Sequence, residues 1–354
     1  MQKINFVLNN VGTSGGAKVV RKYASNLNKM GYDTCIYVPL IPYIYGNQNA
    51  FIKFLRKIKG IIRNFYNYFI KKEQKKFKEC HYKVALLIRN QFIRDADATI
   101  ATAWPTSFDV DRLNDNKGKK FYFVQDYEIW DVEELGKKSY ELNLNKIVIS
   151  NWIKEQIEKQ GIKSNMPILF NGLDIDIYKN DNKIYKKDII TCLMLSHDNP
   201  KKGIKDGINS FELAHKKNPN LKLVMFGLHK PKEIPEYVKF YENPNQDQIA
   251  KLYRDSDIFI FPALQEGWGL TVVEAMAAKS AIVGTETGCL VDIGKNNYNA
   301  MVSKPGDTET MANNILKLSE DEKLRKKISE NGYETVKNMN WQKQTEKLIQ
   351  ILNE

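Results

Sequence analysis

Two glutamates, Glu266 and Glu274, stand with seven residues between them in Ile258-Phe-Ile-Phe-Pro-Ala-Leu-Gln-Glu-Gly-Trp-Gly-Leu-Thr-Val-Val-Glu-Ala-Met-Ala-Ala-Lys279. Ile258 to Phe261 is a short apolar run closed by Pro262, which predicts a buried strand. Thr271 to Lys279 carries strong helix formers. The loop between them therefore delivers Glu266 and backbone N–H groups to one edge of a sheet. Ligands of open α/β sheets bind at the carboxyl ends of strands, and anions favour helix N-termini, where unpaired N–H groups and the helix dipole converge. Both carboxylates then border a phosphate-type site. For Glu274 a structural reading stands beside the functional one, because Thr271-Val-Val-Glu274 is also a capping box. Glu266, between an apolar strand and two glycines, caps nothing.

Two further segments supply anion chemistry. Leu193-Met-Leu-Ser196-His197-Asp-Asn-Pro-Lys201-Lys202-Gly203-Ile204 runs a strand into a loop that ends in two lysines, a glycine and a helix. Lys202 is a compact cation at a helix entrance and suits a diphosphate, whereas a solvated lysine pair is the plain alternative. After the first strand, Asn9-Asn-Val-Gly12-Thr-Ser-Gly15-Gly16-Ala-Lys-Val-Val20 allows a tight strand-to-helix turn and close approach of backbone to an anion. It lacks G-x-G-x-x-G spacing and a following Gly-Lys-Ser/Thr, so a structural turn is equally consistent with it.

The elements that must position these groups alternate along the chain. Strands are predicted over 4–8, 34–38, 99–102, 120–124, 147–149 and 168–170, then over 189–195, 221–226, 238–241, 258–261, 281–283 and 300–302. Helices fall at 18–29, 151–159, 204–217, 246–255, 271–279 and 308–318. Alternation of this kind means parallel sheets with crossover helices, and twelve strands are better shared by two sheets than crowded into one. The fold class is α/β, with two doubly wound domains facing a cleft. We place the first domain at 1–173, a polar linker at 174–187, the second domain at 188–338, and a C-terminal helix in 339–354.

With 354 residues the chain is long for one α/β domain and natural for two. Its net charge of +12 implies an anionic partner: nucleic acid, an anionic membrane or a phosphorylated small molecule. Cys35, Cys80, Cys192 and Cys289 are scattered without C-x-x-C spacing, which predicts free thiols, a reducing compartment and no structural metal. The start is too polar for a signal peptide and no uninterrupted apolar run is long enough to span a bilayer, so a cytoplasmic location is expected.

Together these segments resemble the family 4 glycosyltransferases, retaining enzymes of the GT-B fold with two Rossmann-like domains. The resemblance rests on Gly15-Gly16-Ala17, Asn171-Gly-Leu-Asp174, Lys202-Gly203, Gly227 and, above all, Glu266-Gly-Trp-Gly-Leu-Thr-Val-Val-Glu274-Ala-Met. It implies that Glu266 contacts the donor sugar near the reacting centre, Glu274 holds the nucleotide ribose and Lys202 the diphosphate, with Glu266 and Lys202 as the catalytic pair. Gly16 and the Gly267, Trp268, Gly269, Leu270 and Thr271 segment would lie close to phosphate and sugar. The last helix would cross back onto the first domain. His197 occupies a position at which many relatives carry arginine, so it joins the donor-binding set with diphosphate charge offset less firmly. Where many relatives place a histidine, this chain has Phe123-Val-Gln125-Asp126-Tyr127-Glu128, which resembles a subgroup that includes bacterial surface-polysaccharide rhamnosyltransferases. Gly15, Gln125 and Asp126 are therefore the acceptor-side candidates. The implied partners are a nucleoside-diphosphate sugar and a glycan or lipid-linked acceptor. No cofactor or metal is implied: Asp109-Val-Asp111 has D-x-D spacing, yet it closes no clear strand. Two other classes are weighed, a GT-B sugar-nucleotide epimerase and a non-enzymatic nucleic-acid binder. The second is disfavoured, since no zinc pattern, RNP-like segment or recognition helix is present.

Much of the positive charge gathers in one stripe. Phe51, Phe54, Leu55, Ile58, Ile61, Ile62, Phe65 and Phe69 follow the spacing of one helix face, bordered by Lys53, Arg56, Lys57, Lys59, Arg63, Lys71, Lys72, Lys75 and Lys76. Such a helix suits the interface of an anionic membrane, and peripheral attachment is expected. The competing reading is a core-facing helix with a solvated outer face.

Overall fold

The computed structural model describes every residue except Met1, Thr13, Asn47, Gln48, Glu73, Gln74, Lys76, Phe77, Lys232 and Glu233. Thr13 of the glycine loop and Lys76 of the basic stripe thus lie outside the described residues. The chain divides into two compact units, one formed by Met1–Asn171 with Trp341–Glu354 and the other by Gly172–Asn340.

In the first unit β1 (Lys3–Val7), β2 (Asp33–Pro39), β3 (Tyr82–Ala85), β4 (Ala98–Ala101), β5 (Lys119–Val124) and β6 (Asn145–Val148) form one parallel sheet in the order β3-β2-β1-β4-β5-β6. In the second, β7 (Ile190–Leu195), β8 (Leu221–Gly227), β9 (Lys239–Glu242), β10 (Ile258–Phe261), β11 (Ala281–Thr285) and β12 (Met301–Ser303) repeat the arrangement as β12-β11-β10-β7-β8-β9. Both are the doubly wound, Rossmann-like order, which reverses direction beside its first strand. The reversal lies between β1 and β4 in one sheet and between β7 and β10 in the other. The strands flanking it are buried: all of β4 and β10 lie inside, as expected of sheets covered by helices on both faces.

Two strand expectations are corrected. Tyr82–Ala85 pairs with β2 although its half-exposed residues give no apolar run. Residues 168–170 make only a single bridge, Ile168 to Val148, because Pro167 withholds a ladder donor. The stretch 174–187 is no linker; it lies inside the second unit. Its polar groups bond to the unit's backbone, with Lys183 Nζ donating to Arg254 O at 3.1 Å and Asn180 Nδ2 to the same carbonyl at 3.1 Å. Burial pushes the Lys183 ammonium down to about 8. The C-terminal helix, Trp341–Asn353, packs on the helix Gly15–Lys29, where Tyr23 and Trp341 meet edge to face with centroids 5.4 Å apart. No helix among the described residues is long and apolar enough to cross a membrane. The helix Ala50–Phe65 does not face a core: Phe54 is 59% and Ile62 64% exposed, which overturns the core-facing reading.

Candidate active site

The reversal point between β7 and β10 is where the second unit assembles its charged groups. From β7 the chain enters a loop shaped by its own side chains: His197 Nδ1 accepts from Asn199 N–H at 3.0 Å, and Asn199 Oδ1 from Lys201 N–H at 3.0 Å. Gly203 then takes φ of +63°, a left-handed conformation glycine adopts without penalty, and opens the helix Ile204–Lys217. A Cβ at Gly203 would stand 2.0 Å from Pro262 O, so the loop after β7 lies directly on the loop after β10. Lys201 O binds the two together by accepting Leu264 N–H at 2.7 Å and Gln265 N–H at 3.1 Å.

This contact sets Lys202 beside Glu266. Lys202 Nζ donates to Glu266 Oε2 at 2.6 Å, with the two side chains 25% and 17% exposed. A half-buried, charge-assisted pair of this kind is stronger than its solvated counterpart, and a ligand can still reach it. The lysine is therefore not a loose member of a solvated pair. Behind Glu266 the loop is closely walled. Gly269 has φ of +88° and a Cβ there would meet the Phe261 ring at 3.0 Å; one at Gly288 would meet Trp268 O at 2.5 Å and Glu266 Cγ at 3.0 Å. Trp268 is buried, and its carbonyl accepts Cys289 N–H at 2.5 Å. Thr285 Oγ1 donates to Ala263 O at 2.5 Å from the neighbouring strand β11.

The helix begins one residue earlier than expected, at Leu270, with Gly269 as N-cap and no side chain capping it. The capping-box reading of Thr271 and Glu274 is thereby overturned. Glu274 instead accepts Tyr178 O–H on Oε1 at 2.8 Å and Tyr253 O–H on Oε2 at 3.0 Å, while Gln246 Nε2 donates to Tyr178 Oη at 2.6 Å. Burial first, then the charge of Glu274, drives both phenol pKa values well up, so both tyrosines stay protonated donors. Neither tyrosine was legible beforehand: Tyr178 lies 96 residues from Glu274 in sequence.

The first unit gathers its candidates at the corresponding place. Gly15 and Gly16 begin the helix Gly15–Lys29, and Ser14 Oγ accepts Ala17 N–H at 3.4 Å. A Cβ at Gly16 would stand 3.3 Å from both terminal atoms of Gln125, so the glycine admits the amide at the end of β5. Gln125 Nε2 reaches Thr102 O, past the end of β4, at 3.5 Å. Asp126 is exposed and its Oδ1 accepts Tyr127 N–H at 2.8 Å. Glu128 turns inward, where its Oε2 accepts Tyr122 O–H at 2.7 Å and Trp104 N–H, and burial pushes its carboxyl up to about 8. Sequence reasoning missed an aromatic group at this edge. Trp104 is flanked by Tyr45 at 4.4 Å and by the 41%-exposed Trp130 at 5.4 Å between ring centroids.

Asp109 is already engaged, by Tyr43 O–H at 2.8 Å and Arg89 at 2.6 Å. Among the described residues no three His, Cys, Asp or Glu side chains come together as a ligand set. The cysteines are free, with Cys35, Cys192 and Cys289 buried.

Comparison with known proteins places this geometry. The capsular polysaccharide biosynthesis glycosyltransferase CapM of Staphylococcus aureus is 30% identical over 243 residues, 64% of this chain and 63% of that protein. An uncharacterized glycosyltransferase of Methanocaldococcus jannaschii is 27% identical over 212 residues, 57% of each. The chain thus matches about three-fifths of the length of these curated relatives. Anabaena HepE, solved in complex with UDP, superposes with a TM-score of 0.75 over all of both chains at 14% identity, which shows a shared GT-B fold. The model of the family described as glycosyl transferases group 1 matches residues 174–335, with Lys202, Glu266 and Glu274 all inside the match. The residues that build the lysine and glutamate site thus lie within the segment that matches glycosyl transferases group 1.

Proposed function

We propose that this protein is a retaining, metal-independent glycosyltransferase that moves a hexose or deoxyhexose from a nucleoside-diphosphate sugar to a glycan or lipid-linked acceptor in bacterial surface polysaccharide synthesis. The observation that carries the reading is the Lys202 ammonium, held 2.6 Å from the Glu266 carboxylate at the reversal point of a doubly wound sheet. A cation and a carboxylate there can divide one ligand between them. Lys202 and the uncapped helix start at Leu270 face the diphosphate, and Glu266 faces the hydroxyls of the donor sugar. Glu274, fixed by two phenols, offers lone pairs to ribose hydroxyls. As the glycosidic bond breaks, charge develops on the leaving phosphate, where the fixed lysine and helix amides stabilise it without reorganising. The acceptor oxygen attacks from the face of departure, and the leaving phosphate takes its proton. Gly15, Gln125 and Asp126 of the first unit serve the acceptor, with Trp130 as a sugar-stacking surface.

CapM acts in capsular polysaccharide biosynthesis and HepE holds UDP, so UDP and its sugars are the first donors to try. Calorimetric titration of UDP, GDP, ADP and dTDP, alone and as sugar conjugates, into wild type, Lys202→Ala and Glu274→Ala tests the site. Selective binding of one nucleotide, lost in both variants, supports it. Binding of none sinks it, as does a product whose anomeric configuration is inverted relative to the donor. Release of an isomerised sugar without acceptor would instead identify an epimerase.

A further inference from the structure

The helix Ala50–Phe65 and the π-helical turn Tyr66–Ile70 that continues it are amphipathic in the wrong sense for a water-soluble surface. The buried residues of the helix are Gly60 and Asn64, and that of the turn is Tyr68. Gly60 is buried, and a Cβ there would come within 2.5 Å of Pro42 Cγ; Asn64 is 6% exposed, with Nδ2 donating to Leu40 O at 3.0 Å. The side chains turned away are large and apolar: Phe51, Phe54, Leu55, Ile58, Ile62 and Phe65 are all between 40% and 66% exposed. At about 100° per residue these six fall within roughly 50° of one line, and Gly60 lies about 170° from it. A surface helix ordinarily buries its apolar stripe and wets its polar one. Single exposed apolar residues need no explanation, whereas a continuous ridge of this length marks a surface that something covers.

Charge decides what covers it. Arg56, Lys57, Lys59 and Arg63 flank the ridge and are exposed, and no acidic residue occurs from position 50 to 72. Pairing two copies face to face would press two wholly cationic stripes together. Nucleic acid would answer the charge and leave the phenylalanines in water. An anionic bilayer answers both, with apolar side chains in the acyl boundary and lysine and arginine among headgroup phosphates. We propose that this helix docks the protein on an anionic membrane, lying in the plane of the interface with Phe54 and Ile62 inserted. It is already formed for the task, because Asn49 caps it by accepting Ile52 N–H at 3.0 Å. Gly60 and Asn64 are the residues that allow it, since a bulky apolar side chain at either place would pull the ridge inward.

Flotation of the full chain with phosphatidylcholine vesicles, with and without phosphatidylglycerol, tests the proposal in wild type, Phe54→Asp/Ile62→Asp and Arg56→Glu/Arg63→Glu. All four substituted positions are exposed, and circular dichroism checks that each variant is folded. Wild type should float only with the anionic vesicles, each double variant should bind at least about tenfold less, and salt should weaken binding. A Phe54→Trp variant should in addition be quenched by brominated acyl chains. Equal binding to neutral vesicles, or none to either, overturns the proposal. So does a lipid-free dimer in sedimentation velocity that Phe54→Asp/Ile62→Asp dissolves, or binding to duplex DNA at least as tight as to anionic vesicles. Nucleotide titration into the same variants should match wild type, so failure here leaves the proposed reaction untouched, and the reverse also holds.

Discussion

Lys202 Nζ and Glu266 Oε2 lie 2.6 Å apart although 64 residues separate them in sequence. The pair exists because two loops at the reversal point are laced through Lys201 O. Each partner limits the other: the ammonium orients the carboxylate, and the carboxylate holds the ammonium where a diphosphate would compete for it. Removing either should therefore have different consequences. Lys202→Ala should abolish detectable nucleotide binding and lower kcat/KM about 10²- to 10³-fold, as loss of a fixed electrostatic donor does. Glu266→Gln should keep nucleotide affinity within about threefold while kcat falls about 100-fold, because it frees the lysine but removes the sugar contact. Equal loss of binding in both variants would contradict this division.

Tyr178 and Tyr253 each donate to one oxygen of Glu274. Tyr178→Phe should lower stability by about 1.5–3 kcal/mol, the range for a lost hydrogen bond to a charged group. In a double-mutant cycle with Glu274→Gln, urea denaturation should show the two effects to be non-additive. Additive losses would mean that the phenol and the carboxylate do not act as a unit.

The glycines divide into those whose surroundings leave no room for a side chain and those that have room for one. Gly203→Ala places a Cβ 2.0 Å from Pro262 O at φ of +63°, so stability should fall by more than about 1–3 kcal/mol and nucleotide binding should fall with it. Gly15→Ala meets nothing within 4 Å and should change stability by no more than about 0.5 kcal/mol. Thermal melts of the two proteins decide the matter.

Glu128 should impose a pH dependence on stability. Its carboxyl is raised from 4.5 to about 8, chiefly by burial, so between those values the folded chain binds the proton and the unfolded chain releases it. The contribution is complete below about pH 4.5 and is lost as pH rises toward 8, with no further change above. Glu128→Gln keeps the shape without the titration, and its melting temperature should fall less than that of wild type from about pH 5 to 9. Parallel curves would show that Glu128 ionises without cost.

Chelation should leave turnover unchanged. The proposed site offsets diphosphate charge with Lys202 and a helix start, and the described residues gather no ligand triad. Rates measured with EDTA and with added Mg²⁺ or Mn²⁺ should agree within about twofold; an absolute requirement for a divalent ion would refute the mechanism.

Most of the second sheet could be read along the chain, because Ile258–Phe261 and its neighbours are buried on both faces and appear as short apolar runs between turn residues. Tyr82–Ala85 escaped that reading because Tyr82, Lys83 and Val84 all keep exposed surface and make no apolar run. Glu266 stood out by its loop, and the aspartates of Asp109-Val-Asp111 were set aside on the same ground. The helix Ala50–Phe65 was visible as periodicity, yet periodicity has no sign: the same stripe fits a core or a membrane. Packing through Gly60 and Asn64 chose the outward direction.

What the sequence determined by itself is therefore local: the alternation of strands and helices, the glycines that permit left-handed turns at Gly203 and Gly269, and the residue types able to bind an anion. What only the tertiary structure decided is pairing at a distance. Lys202 with Glu266, Tyr178 with Glu274, and Gln125 against Gly16 each depend on which strands lie side by side. Strand order is fixed by the closure of whole sheets and the burial of their faces, and no window of neighbouring residues carries that information.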